Sequence, residues 1–379
     1  MAKVDDRKQA WHDMEDYFAK SLSEMGIVGG SMMLLHQGKV QETFYYGLAD
    51  LETQRPVDEH TIYHYASITK TFTAIAIMQL RDRHLLSLDD AVIDYIPELK
   101  AVHNPYGEMK TITIRHLLSH SAGFRGPTWP WGGDKLWHPY EPTRWEQLVA
   151  MMPYTEILFK PGSRYSYSNF GIVFLGRIIE LISGDDYEVY IDKNILKPLE
   201  MYHSYFDMTP YHLLSQRSNN YFITNGEMTT NGLDFNTGIT VSNGGLNSPL
   251  GDMSKYLAFL LGEQNSDGTI LKRSSLEEMW QIEHPVALDS ILKEWIALGF
   301  FLVKTGNHRF IGHTGEQRGF MSFFYIHPES CTACLVVFNT VVNTYNAQHE
   351  LIEPNTYSLR SDLRQKMLKD VFPRYIKRH

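Results

Sequence analysis

The strongest constraint on this chain is a segregation of its patterns: β-rich runs lie towards both ends, and helical periodicity fills the middle. Residues 31–36 and 40–46 are two such runs, joined at Gln37-Gly38-Lys39, which is a hairpin signal. Residues 296–303, 308–313, 320–326 and 333–340 are four more strand patterns, each bounded by turn residues. Strands so far apart in sequence share a sheet only if the chain between them leaves and returns. The pattern predicts an α/β sheet domain, residues 1–76 and 285–379, split by a mainly helical insertion, residues 77–284. With 379 residues the chain is too long for one ordinary core, which agrees with such a division.

Residues 5–25 alternate charge with Trp11, Met14, Tyr17, Phe18 and Leu22 at helical spacing, and Gly29-Gly30 is the expected stop. Helical spacing recurs over residues 85–99, 112–119, 170–183, 187–195, 254–261, 274–282 and 361–375. Residues 201–246 are rich in Asn, Thr and Gly and predict loops with short strands. Residues 122–145 form an irregular excursion holding Trp129, Trp131, Trp137 and Trp145 among prolines and glycines. So many aromatic rings do not suit a solvated loop, and the segment is expected to fold onto something.

The formal net charge of −9 arises from interspersed acids and bases, which gives nucleic acid or a membrane surface little to hold. The first 26 residues contain no apolar signal core, and no later stretch has the length of a membrane span. A soluble, cytoplasmic protein is expected, of unassigned oligomeric state. Cys331 and Cys334 form a lone C-x-x-C in a strand-like run, where residues three apart point to opposite faces. Buried structural thiols are expected there in place of a zinc site or a disulfide.

The chemistry is concentrated elsewhere. Neither G-x-S-x-G, H-E-x-x-H, G-x-G-x-x-G nor a Walker A sequence occurs. Ser67 and Lys70 do stand three apart at the head of an apolar run, so on a helix they share a face. A lysine buried at a helix start is pushed towards its neutral form and can take the serine's proton. The same spacing at Ser290 and Lys293 shows how little the motif says alone. Tyr167-Ser168-Asn169 precedes the helix pattern at Phe170, and a tyrosine near a lysine could be held partly ionised and shuttle protons. For the opposite wall two segments compete, Lys304-Thr305-Gly306 and His313-Thr314-Gly315. The first sits between strand patterns like a hairpin turn and the second ends a strand, so His313 is preferred. His116 and His120, at i and i+4, lack a third metal ligand in view.

In this order, Ser67-x-x-Lys70, Tyr167-x-Asn169 and His313-Thr314-Gly315 resemble the serine β-lactamase and penicillin-binding-protein superfamily, specifically its class C-like branch. Residues 46–50, 117–123, 161–163 and 243–246 are also similar to family stretches, and the likeness runs from about residue 26 to 339. The resemblance implies an α/β (α+β) fold of β-lactamase/transpeptidase type, an antiparallel sheet flanked by helices. It further implies an acyl-enzyme route with Ser67 as nucleophile and Lys70 and Tyr167 moving protons, without metal or cofactor. The backbone N–H groups of Ser67 and Glu316 would hold the oxyanion, and Asn169, His313, Thr314 and Gly315 would meet substrate. Two departures stand out: a histidine replaces the lysine usual in true β-lactamases, and Glu316-Gln317-Arg318 replaces small residues.

A small-molecule ester is therefore the first expected substrate, cleaved by a class C β-lactamase-like esterase. A D-amino-acid-specific peptidase or amidase, with Arg318 or Arg125 receiving a carboxylate, or a weak β-lactamase is the alternative. A non-catalytic binding homologue is the third reading, disfavoured by the intact serine, lysine and tyrosine. Trp131 and its neighbours are expected to wall the acyl side of the cleft, and His313 to make binding pH-sensitive near neutrality.

Overall fold

The computed structural model describes residues 6–126, 142–233, 237–263 and 270–376. Its centre is a nine-stranded sheet. The strands are β1 (Gly29–His36), β2 (Lys39–Asp50), β3 (Arg55–Pro56), β4 (His284–Ala287), β5 (Lys293–Ile296), β6 (Phe301–Thr305), β7 (His308–Gln317), β8 (Phe320–His327) and β9 (Thr332–Phe338). Their spatial order is β3-β2-β1-β9-β8-β7-β6-β5-β4, and every neighbouring pair is antiparallel. The two ends of the sequence meet where β1 pairs with β9, from Gly30 opposite Phe338 to His36 opposite Thr332.

Period-two patterning divides the sheet's side chains between two apolar layers. Leu335, Val337, Phe324 and Met33 face one side, while Cys334, Val336, Tyr325 and Leu34 face the other. The second side is covered by α1 (Asp6–Glu24), through Trp11, Met14, Phe18 and Leu22, and by α5 (Thr356–Lys366), through Leu359 and Leu363. On the first side α4 (Leu250–Leu261) packs on the sheet and α2 (Thr69–Asp82) and α3 (Asn169–Ser183) pack on each other, all joining one continuous apolar cluster with the sheet. Every residue of α2 from Thr69 to Leu80 is buried, as a helix surrounded by other elements requires. Each fully buried Ile, Leu or Phe contributes about 1.5–3 kcal/mol, so this helix is anchored along its whole length.

Several boundaries differ from the sequence expectation. The first helix ends at Glu24 and turns at Gly26 (φ +69°), while Gly29 and Gly30 already belong to β1. Residues 296–303 are two strands, because Gly299 (φ +75°) reverses the chain where a Cβ would lie 2.4 Å from that of Ala74 in α2. β7 runs four residues beyond His313. Residues 85–99 fold as turns with short 3₁₀ segments at Val92–Asp94 and Pro97–Ala101, since Pro97 denies a continuing helix its N–H. Cys331 lies in a left-handed turn (φ +49°) just before β9, half-buried, while Cys334 is buried in the strand, and both are free thiols. Among the described residues no helix is long and apolar enough to cross a membrane.

Candidate active site

Ser67 sits in a 3₁₀ turn, Ala66–Ile68, that leads directly into α2. Ala66 adopts φ +49°, a left-handed conformation that costs a residue with a Cβ about 1–2 kcal/mol. Surrounding bonds hold it there. Thr69 Oγ1 donates to the Ala66 carbonyl at 2.6 Å, and Tyr65 N–H donates to Leu246 O at 2.8 Å. One turn on, Lys70 Nζ stands 2.8 Å from Ser67 Oγ and donates to Asn243 O at 2.7 Å. Lys70 is 1% exposed, and burial pushes its pKa well below the ordinary lysine value. A neutral amine so placed can accept the proton of the hydroxyl beside it.

Tyr167 reaches the same oxygen from the helical layer, its hydroxyl 2.9 Å from Ser67 Oγ. Backbone bonds to residues 120–126 fix the segment that carries it. Ser166 N–H donates to His120 O at 2.8 Å, Ser168 N–H to His120 Nδ1 at 3.1 Å, and Asn169 N–H to Gly126 O at 3.0 Å. Ser168 then caps α3, accepting the Gly171 N–H. The His120 ring lies 4.5 Å from the Tyr167 ring. Meanwhile His116 Nδ1 accepts the Thr113 N–H at a helix start, so the two histidines at i and i+4 have separate structural tasks. Burial raises the Tyr167 pKa, which corrects the expectation of a partly ionised phenol: the resting group is protonated.

β7 forms the facing wall. Gly315 of this strand is a steric requirement, because a Cβ on it would lie 2.1 Å from the carbonyl oxygen of Tyr65, beside the Ser67 turn. His313 and Thr314 line the cleft, whereas Lys304, next to last in β6, has its amine over the Trp295 ring. The expected pH sensitivity of His313 does not survive. The ring is 1% exposed, and burial, with a smaller push from Lys70, takes its pKa down to about 3. His313 is neutral at pH 7. Its Nδ1 is 2.6 Å from Thr314 O, and its buried Nε2 has no hydrogen-bond partner among the described residues, like Oδ1 of Asn169 nearby.

These groups open on a cleft of about 430 Å³. Ser67, Tyr167, Asn169, His313, Thr314 and Glu316 all line it. Arg318 does not: it lies in the β7–β8 turn at φ +52°, outside the lining. The arginines that do line the cleft are Arg360 and Arg364 of α5. Arg360 was missed because α5 begins at Thr356, earlier than the apolar spacing suggested, and Arg364, inside the expected helix, because no motif marks it. Asn355, which accepts the N–H groups of Tyr357 and Ser358, was the readable start signal. Trp129, Trp131 and Trp137 lie outside the described residues. Trp145 is described and packs edge-on to Phe174 of α3, with Arg177 over its ring, away from the cleft.

The antiparallel sheet between helical layers, with this cleft at its seam, defines a protein of the serine β-lactamase and penicillin-binding-protein-like hydrolase superfamily. The chain belongs to the beta-lactamase family, whose profile matches residues 14–352. It is 28% identical over 313 residues to protein flp of Staphylococcus aureus (strain COL), across 83% of this chain and 60% of that protein, so it spans well under the full length of that relative. Among solved structures it is similar to the octameric penicillin-binding protein homologue from Pyrococcus abyssi, with 29% identity and a TM-score of 0.74 over 87% of this chain and 73% of that one. A class C beta-lactamase shares the fold at 19% identity, with a TM-score of 0.76 over 98% of each chain.

Proposed function

We propose that the chain is a serine hydrolase that cleaves carboxylic esters through an acyl-enzyme on Ser67. The observation that carries this reading is the convergence of Lys70 Nζ and the Tyr167 hydroxyl on Ser67 Oγ, at 2.8 and 2.9 Å. Neutral Lys70 takes the serine proton as Oγ bonds to the substrate carbonyl carbon. The tetrahedral intermediate, its oxyanion held by the N–H groups of Ser67 and Glu316, collapses and expels the alcohol. The leaving oxygen takes the Tyr167 proton, which Lys70 restores. Water then repeats the sequence on the acyl-enzyme and frees the acid.

Neutral His313 supports an ester over a β-lactam, because it offers a substrate carboxylate no fixed positive charge, and the guanidinium groups of the cleft, Arg360 and Arg364, already lie beside Glu316 and Glu294. A second reading is a D-aminoacyl amide, whose ammonium would share the Glu294 carboxylate on the cleft wall with Arg364, 3.3 Å from it. The test is labelling with a fluorophosphonate, peptide mapping, and turnover of p-nitrophenyl esters, D-aminoacyl anilides and nitrocefin. A label on Ser67 and preference for the esters are expected. Unlabelled protein, or undiminished turnover in Ser67→Ala, overturns the reading, and preference for the anilides moves it to the amidase.

A further inference from the structure

Two residues of α5 hold Gly315-Glu316, one at the peptide between them and one at the Glu316 side chain. Arg360 Nη1 donates to the Gly315 carbonyl at 3.3 Å, and the same nitrogen lies 4.0 Å from Glu316 Oε2. One helical turn earlier, the Tyr357 hydroxyl donates to Glu316 Oε1. Tyr357 and Arg360 are three apart, so they project from the same helix face. Arg360 is largely buried, its side chain 19% exposed, which keeps its charge poorly screened.

In a trans peptide the C=O and the following N–H point in opposite directions. With the Gly315 carbonyl turned to Arg360, the Glu316 N–H is directed away from the guanidinium. A cation at the oxygen end draws electron density along the peptide and makes the N–H a stronger donor. The contact also resists rotation of the unit, which matters because oxyanion stabilisation depends on donors already in position.

We infer that Arg360, with Tyr357 bracing the Glu316 side chain, is a positioning residue that orients and polarises the Glu316 N–H toward the oxyanion. This inference rests on the acyl-enzyme reading above. Its force is on the transition state, so it differs from a contact that merely holds substrate.

The test uses p-nitrophenyl acetate, which has no carboxylate for an arginine to bind, and phenylboronic acid, which forms a tetrahedral adduct with an active serine. In Arg360→Met, kcat/KM is expected to fall about 10–100-fold, below the loss that removing a whole oxyanion donor causes. The inhibition constant of phenylboronic acid should rise in step, with KM within about twofold. Arg360→Lys, which keeps a cation, should recover part of the loss, and Tyr357→Phe should show a smaller fall of about 3–10-fold. Wild-type kcat/KM in Arg360→Met overturns the inference, as does a loss confined to the KM of a carboxylate-bearing ester. Should Arg360→Met not fold, Arg360→Lys and Tyr357→Phe decide: both at wild-type kcat/KM overturn it. Ser67→Ala separates the two levels. If it is inactive while Arg360→Met is fully active, only the clamp is wrong; if it keeps turnover, the mechanism itself is.

Discussion

Gly315→Ala tests the close approach of β7 to the serine turn. The added methyl would lie 2.1 Å from Tyr65 O and 2.6 Å from Ser322 Oγ, against ordinary contacts that begin near 3.4 Å. Tyr65 has little room to yield. Its N–H is bonded to Leu246 O, its carbonyl accepts the Ile68 N–H at 3.2 Å, and its side chain is fully buried. The strand must therefore move away by about 1 Å, at an overpacking cost of about 1–3 kcal/mol. That displacement separates the Ser67 and Glu316 N–H groups, and misplacement of this size costs roughly 100-fold in rate. Stopped-flow hydrolysis of p-nitrophenyl acetate measures the rate, and a thermal melt measures the stability, with Tm expected to fall by about 1–4 °C. Gly306→Ala is the control. It has φ +57° with nothing within 4 Å of a built Cβ, so it should lose about 1 kcal/mol to backbone strain and keep full activity. Activity of Gly315→Ala within twofold of the parent would refute the argument, since the clash would then be absorbed without reaching the site.

Acid should destabilise the fold through its buried imidazoles. His64 and His313 are both held down to about 3 by burial and titrate near 6.5 when unfolded, so the unfolded chain takes up more protons below that pH. Stability is then fully present above pH 6.5 and falls towards pH 3, by at most about 4–5 kcal/mol for each ring, and urea midpoints unchanged between pH 7 and 4 would contradict this. Lys70→Met should lower kcat by about 10²–10⁴-fold with little change in Tm, because the bond lost to Asn243 O offsets the exchange of a buried amine for an apolar chain of similar length; an appreciable rate remaining would move the base elsewhere. Ser290→Ala should leave kcat/KM unchanged, since Ser290 only donates to Leu292 O in the turn before β5, away from the cleft.

Long-range patterns in the sequence carried much of the fold. The apolar runs of β8 and β9 were visible because both faces of those strands are covered, and the helical spacing of Trp11, Met14, Phe18 and Leu22 is the buried stripe of α1. Where a turn interrupts an apolar run the reading slipped, as at Gly299, whose left-handed conformation has no periodic signature. The site divided along the same line. Ser67, Lys70 and Tyr167 belong to motifs with fixed spacing, and the structure brings them within hydrogen-bond distance. Arg360 and Tyr357 have no motif, and their presence in the cleft depends on how α5 docks over β8. The protonation of His313 and Tyr167 was misread for a related reason, since desolvation is a property of the surroundings and leaves no mark on the residue type.

The pairing of β1 with β9 has a consequence in time. Gly29 N–H is held by Asn339 Oδ1 across a sequence separation of 310 residues, so an emerging chain has its first strands long before their partner. At roughly 5–20 residues per second, the wait on the ribosome is roughly 15–60 s. During it the β1–β2 hairpin presents an unpaired edge and, on the side that α1 does not cover, a bare apolar face, which favours capture by chaperones or by other nascent chains. The Ser67 turn is made early in synthesis and its facing wall late. Hydrolytic activity would therefore arise only with the finished fold, and its appearance would report the closing of the sheet.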